Sequence, residues 1–156
     1  MKSRLVASLV VGGALVLGTT GCSMISTQAT TIEYAAAEGA NIPDTAGPVQ
    51  VRNAFIVANE EGTLGNFVAA LVNRTDKTEV LYMEFGEDKV AEKVIVPANT
   101  IISLGSDYDE PLLVSGIDSK PGSDIAVSFQ SGDGVTWVQA IPVLNGDLDY
   151  LAPLVP

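Results

Sequence analysis

Hydrophobic and polar residues alternate in short runs along most of this chain, and turn-forming residues divide the runs. At the head of VQVRNAFIVA (49–58), Val49 and Val51 alternate with Gln50 and Arg52, the period of a strand with one buried face. Glu60-Glu61-Gly62 turns the chain into NFVAALVN (66–73), whose near-continuous apolar run predicts burial on both faces. Beyond the polar Arg74-Thr75-Asp76-Lys77, TEVLYMEF (78–85) sets Val80, Tyr82 and Glu84 against Leu81, Met83 and Phe85. Gly86-Glu87-Asp88 leads to KVAEKVIV (89–96), and Pro97-Ala98-Asn99 to TIISL (100–104).

An acid-rich loop from Gly105 to Pro111 precedes LLVSGI (112–117). Lys120-Pro121-Gly122 places proline and glycine where a type II turn needs them. DIAVSFQ (124–130) and VTWVQAIPVL (135–144) flank Ser131-Gly132-Asp133-Gly134, a hairpin signal because Asp-Gly accepts positive φ. Trp137 is expected in the core of that hairpin. With no amphipathic helix, the pattern predicts an all-β fold, an antiparallel β-sandwich of about seven to eight strands. The immunoglobulin Cys…Trp…Cys framework is missing, so the Ig-like likeness is one of architecture. The apolar tail LNGDLDYLAPLVP (144–156), broken by Pro153 and Pro156, is expected to cap an open end of the sandwich rather than dock on a partner.

The first residues follow a different pattern. Lys2 and Arg4 precede an uncharged run from Leu5 to Leu17, and Gly18, Thr19, Thr20 and Gly21 lead into Cys22. That order is a cleaved signal peptide ending in a lipobox, with Thr19 where leucine is usual. The apolar run is shorter than the ~20 residues that span a bilayer. Cleavage before Cys22 and acylation of its thiol are the expected processing. The chain then divides into a signal peptide (1–21), a lipidated cysteine with its tether (22–47) and a β-sandwich domain (48–156). The expected location is the outer face of the cytoplasmic membrane, held by the acyl chains on Cys22.

Charge and composition narrow the chemistry. Loss of Lys2 and Arg4 takes the net charge from −11 to −13. Such a surface repels nucleic acid and anionic headgroups, so the acyl chains must supply the membrane affinity. Cys22 is the sole cysteine, which excludes an internal disulfide, and histidine is absent. Serine or cysteine nucleophiles normally need a base, and no G-x-S-x-G or S-x-x-K pattern occurs. Zinc and copper sites need histidine or thiolate clusters. Met24 and Met83 make a poor thioether pair, with one of them in the tether. The acids Asp107, Asp109 and Glu110, and likewise Asp147 and Asp149, lack the spacing of a calcium loop. Asn73-Arg74-Thr75 fits the glycosylation triplet, a pattern common by chance. The expectation is a non-enzymatic binding or structural module with no catalytic residue, cofactor or metal.

One stretch carries a family resemblance. Tyr34-Ala35-Ala36-Ala37 precedes Gly39 and Asn41, Val51-Arg52-Asn53 opens the first strand, and Leu71-Val72-Asn73 ends the second, all behind a lipobox. This run (32–76) resembles the actinobacterial LpqE-like lipoproteins. The resemblance implies a small β-sandwich outside the cytoplasmic membrane, without established activity. It also implies an accessory role in an envelope protein complex, the respiratory bcc–aa3 supercomplex being the example. The same sandwich distantly resembles the cupredoxin-like fold of periplasmic copper chaperones, whose His and Met ligands have no counterparts in this chain. The leading expectation is therefore an anchored interaction module of an envelope complex. The alternative is an extracytoplasmic protein that binds a small ligand or metal ion.

Overall fold

The computed structural model describes residues 37–156 and, before them, Ser3 alone. The signal segment, Cys22, Met24 and Tyr34 lie outside the described residues. Eight strands occupy the eight places the alternation marks: β1 (Val49–Ala58), β2 (Leu64–Asn73), β3 (Glu79–Phe85), β4 (Val90–Val96), β5 (Thr100–Leu104), β6 (Leu112–Ser115), β7 (Asp124–Ser131) and β8 (Trp137–Leu144). No α-helix occurs within 37–156.

The strands follow the order β4-β3-β7-β8-β1-β2-β5, with β6 paired to the other end of β2. One layer holds β4, β3, β7 and β8, and the other holds β1, β2, β5 and β6. Every pair is antiparallel except the junction between layers, where β1 and β8 meet in parallel over Ile56↔Val143 and Val57↔Leu144. The architecture is an all-β, cupredoxin-like sandwich made from one nearly continuous sheet.

The core lies between the layers and is built by alternation. Leu81, Met83 and Phe85 of β3 face inward, as do Ile125, Val127 and Phe129 of β7. Phe67 meets Phe85 edge-on, their centroids 5.6 Å apart, and Phe129 at 6.2 Å. Such pairs add to the free energy of burying the rings.

β1 breaks its own alternation. Its register against β2 shifts between Arg52 and Phe55, the mark of a β-bulge. Asn53 takes φ 51° there, a left-handed conformation that asparagine tolerates better than most residues. Before the bulge Val49 and Val51 face the core; after it Ala54, Ile56 and Ala58 do. The extra residue sends Phe55 and Val57 to the opposite face, where they join Val68 and Leu151 in a second apolar cluster.

Two turns differ in their fit to expectation. Ser123 N–H donates to the Lys120 carbonyl at 3.1 Å and Gly122 has φ 89°, as a type II turn requires. In the β7–β8 hairpin the left-handed residue is Gly132 (φ 52°), not Asp133 or Gly134. Gly134 serves close approach instead, since a Cβ there would lie 2.4 Å from the Gly47 backbone.

Candidate functional site

Two segments that are not strands pack against β1, one along its edge and one over the outer face it shares with β2, and the candidate site lies where they approach each other. The first is the stretch before β1. Ala40 and Ala54 exchange backbone hydrogen bonds of 2.9 and 2.8 Å. Gly39 N–H donates to Asn53 Oδ1 at 2.8 Å, and Asn53 N–H donates to Asn41 Oδ1 at 3.0 Å. Arg52 donates through Nη1 to the Ile42 carbonyl at 2.7 Å and pairs through Nη2 with Asp44. Ile42 and Ala46 are buried in the main core. Residues 40–47, assigned to the tether by their polar, glycine- and proline-broken sequence, are thus a strap within the fold. Gly39, Asn41, Arg52 and Asn53, on which the family resemblance rests, interlock around the bulge.

The second segment is the C-terminal tail. Leu151 is buried over Phe55, Val57 and Val68, with Leu144 and Leu154 packed beside it. Asn66 Nδ2 donates to the Leu154 carbonyl at 2.9 Å. The tail caps a face of the sheet, not an open end.

Glu38 at the entry to the strap, the tail and the β5–β6 loop border a hollow of about 330 Å³. Phe55, Val68 and Leu154 supply apolar surface, and Asn53, Ser103 and Ser106 supply polar atoms. Glu38 and Tyr150 also line it, joined by a 2.9 Å hydrogen bond from the Tyr150 hydroxyl to Glu38 Oε1. A backbone hydrogen bond, and then that hydroxyl, hold the Glu38 carboxyl below its ordinary value. The same bond raises the Tyr150 hydroxyl above its ordinary value. Gly105, at φ 84°, keeps the hollow open: a Cβ would lie 2.9 Å from Val68 Cγ2. Nothing in the sequence pairs Glu38 with Tyr150, which stand 112 residues apart.

The residues singled out by sequence do not converge here. Asp109 Oδ2 accepts the Ser103 N–H at 3.0 Å, and its carbonyl accepts the Gly105 N–H at 2.8 Å. Its carboxylate therefore ties the acidic loop to β5, while Asp107 and Glu110 stay exposed. Asn145 Nδ2 donates to Asp147 Oδ2 at 2.7 Å. Glu87, Asp88, Asp118 and Asp124 line a larger cavity of about 510 Å³ at another edge. Among the described residues, no three His, Cys, Asp or Glu side chains come together to hold a metal ion. Met83 is 1% exposed in the core.

Two further expectations change. Trp137 is not in the hairpin core. It is 38% exposed, beside Val135 at 60% and Val138 at 63%, because the first half of β8 has no partner strand on its β1 side. Its indole N–H donates to Gln139 Oε1 at 3.3 Å. Asn73 is 1% exposed, and its Nδ2 donates to the carbonyls of Lys77, Val96 and Pro97 at 2.7, 3.0 and 3.0 Å. A glycan cannot be carried on that nitrogen in the folded state.

No family model matches the chain, and no curated protein matches it. Solved structures do. The copper-bound PCuAC domain from PmoF2 is 12% identical with a TM-score of 0.50, covering 67% of this chain and 97% of that one. The apo form of the same PmoF2 domain is 13% identical with a TM-score of 0.49, over 65% of this chain and 94% of its own. At these identities the likeness to the copper-bound PCuAC domain is one of fold, and it places this sandwich beside the cupredoxin-like scaffolds.

Proposed function

We propose that this chain is an extracytoplasmic binding protein, anchored through Cys22, that holds a small organic ligand in the hollow between strap, tail and β5–β6 loop. The observation that carries this reading is the hollow itself. Its volume of about 330 Å³ falls at the lower end of small-molecule sites, and its apolar floor with a few polar atoms at the rim is their usual chemistry. Copper, named for the PCuAC neighbour, asks for imidazole or soft sulfur donors. This chain has no histidine, and Met83 is sealed in the core. The described residues do not fit copper.

A second reading keeps the interaction module that the LpqE-like resemblance implies, in which the anchored domain docks on an envelope complex. Exposed Trp137, with Val135 and Val138 beside it, favours it, since tryptophan is enriched at binding hot spots. One experiment separates the two. The chain is extracted from membranes in mild detergent and examined by native mass spectrometry, alone and as Ala70→Trp, which fills the hollow. A bound molecule of small mass that is missing from Ala70→Trp, with the melting temperature preserved, supports the ligand reading. Stoichiometric protein subunits lost on Trp137→Ala support the second. A chain that carries copper and no organic ligand overturns both.

A further inference from the structure

Among the described residues the hollow has one ionised side chain and no cation to balance it. Glu38 is the acid; among the described residues no lysine or arginine lines the space. Arg52, close by in sequence, is turned away to the Ile42 carbonyl and Asp44. The partner that Glu38 does have is a neutral hydroxyl from Tyr150, itself 57% exposed. A ligand that enters beside this pair can therefore exchange a hydrogen bond from a phenol for one from a charged donor, which is stronger. The tyrosine ring offers a π face to the same charge. Below the pair lie Phe55, Val68 and Leu154, which suit a hydrocarbon body. An anion meets the opposite situation: no donor of positive charge, one carboxylate, and a strongly acidic chain around it.

Resting on the small-ligand reading, we infer that the hollow selects a compact cationic amphiphile, an organic amine whose ammonium sits on Glu38 beside Tyr150 and whose apolar part lies on Phe55, Val68 and Leu154. Glu38 is the residue that determines specificity, and Tyr150 shares the ammonium with it. The carboxylate is ionised at neutral pH as an exposed glutamate is, and its backbone hydrogen bond and Tyr150 hold the proton off further.

The test uses the membrane-extracted, full-length processed chain in lipid nanodiscs, with methyl-labelled valine and leucine read by NMR. Three probes of like shape are compared at equal ionic strength: 2-phenylethylammonium, 2-phenylethanol and 3-phenylpropanoate. The Val68 and Leu154 methyl signals are expected to shift with the ammonium at about tenfold lower concentration than with the alcohol, and not with the carboxylate. Glu38→Gln should bring the ammonium down to the level of the alcohol and leave the alcohol unchanged. Tyr150→Phe should weaken the ammonium less. Equal binding of all three probes would overturn the charge selection and leave the small-ligand reading standing. No shift with any probe would overturn both. Ammonium selectivity that survives Glu38→Gln would remove Glu38 from the site.

Discussion

The β1–β2 ribbon and the β3–β4 hairpin are both long antiparallel pairs, but one is covered on two faces and the other on one. In β3 and β4, Leu81, Met83 and Phe85 face the core while Tyr82, Glu84, Lys93 and Ile95 face water. In β1 and β2, Val51, Ile56, Phe67 and Leu71 face the core, and Phe55, Val57 and Val68 are buried on the other side as well. The difference lies in what covers the second face. The tail closes over β1 and β2 while the strap runs along the edge of β1, and nothing described closes over β3 and β4. The candidate site exists because that cover is incomplete: where strap, tail and β5–β6 loop meet, a hollow remains.

If the shared core is the main source of stability, its loss should outweigh any change in the cover. Phe67→Ala removes a ring at zero exposure that contacts both Phe85 and Phe129. The expected cost is ~3–5 kcal/mol, from lost transfer free energy and the cavity left behind. Urea or guanidinium melts with an unchanged m-value would show it. A cost below ~1 kcal/mol would mean that the two layers are not welded at this point.

The cover comes next. Leu151→Ala opens the second cluster, which is smaller and closed by a tail that can shift, so the expected cost is ~2–3 kcal/mol, near the lower end for a buried leucine. Hydrogen exchange should rise first in the tail and at Phe55–Val57 while the β3–β7 amides stay protected. If all amides lost protection together, cover and core would be one cooperative unit, and the two regions would not differ in stability.

The bare region should tolerate more. Trp137→Ala is expected to change stability by no more than about 1 kcal/mol, since the indole is partly in water and its hydrogen bond runs to a neighbouring side chain. Equilibrium denaturation measures this directly. A loss of several kcal/mol would show that Trp137 carries packing and would withdraw the observation that favours partner docking.

These contrasts also show how much could be read from the chain. Alternation located all eight strands, because a one-sided strand writes its inward face at every second residue, as Leu81, Met83 and Phe85 do. The apolar run of β2 announced its two-sided burial, but the pattern failed on β1. Asn53 inserts a bulge that changes the phase of β1, and neither Gly39 nor Asn41 announces that its partner is Asn53. The strap reads as tether for the same reason: Ile42 and Ala46 are isolated apolar residues among polar ones, and only the groove beside β1 makes them core. Trp137 was misplaced because local spacing cannot show that β8 lacks a neighbour along its first half. Among the residues that carry the resemblance, Arg52 and Asn53 fasten the strap and Asn73 binds β2 to the end of β4. The hollow left no trace in the sequence, since its defining pair, Glu38 and Tyr150, meets only when both ends of the described chain fold onto the same sheet face.

The finest test concerns that pair, where the strap's entry meets the tail. Both groups are exposed, so the bond between them is expected to govern local order without a measurable share of global stability. The sign follows from the direction of each shift. Glu38 is held below its ordinary 4.5, so its contribution is present above that value and is lost as pH falls through the lowered one. Tyr150 is held above its ordinary 10.0, so its contribution is present below that value and is lost as pH rises through the raised one. The latch should thus be fully closed between those two ordinary values and should open at either extreme. Amide exchange over Leu148–Ala152, compared with Leu81–Phe85 as an internal reference, should rise on acidification in the native chain. In Glu38→Gln the neutral side chain has no proton to take up, so the acid-side rise should vanish and exchange in the tail, once corrected for intrinsic rates, should be flat from neutral pH into acid. If wild type and Glu38→Gln instead opened together in acid, the tail would be held by Leu151, Leu154 and the Asn66 hydrogen bond, and the hollow would have no electrostatic latch at its mouth.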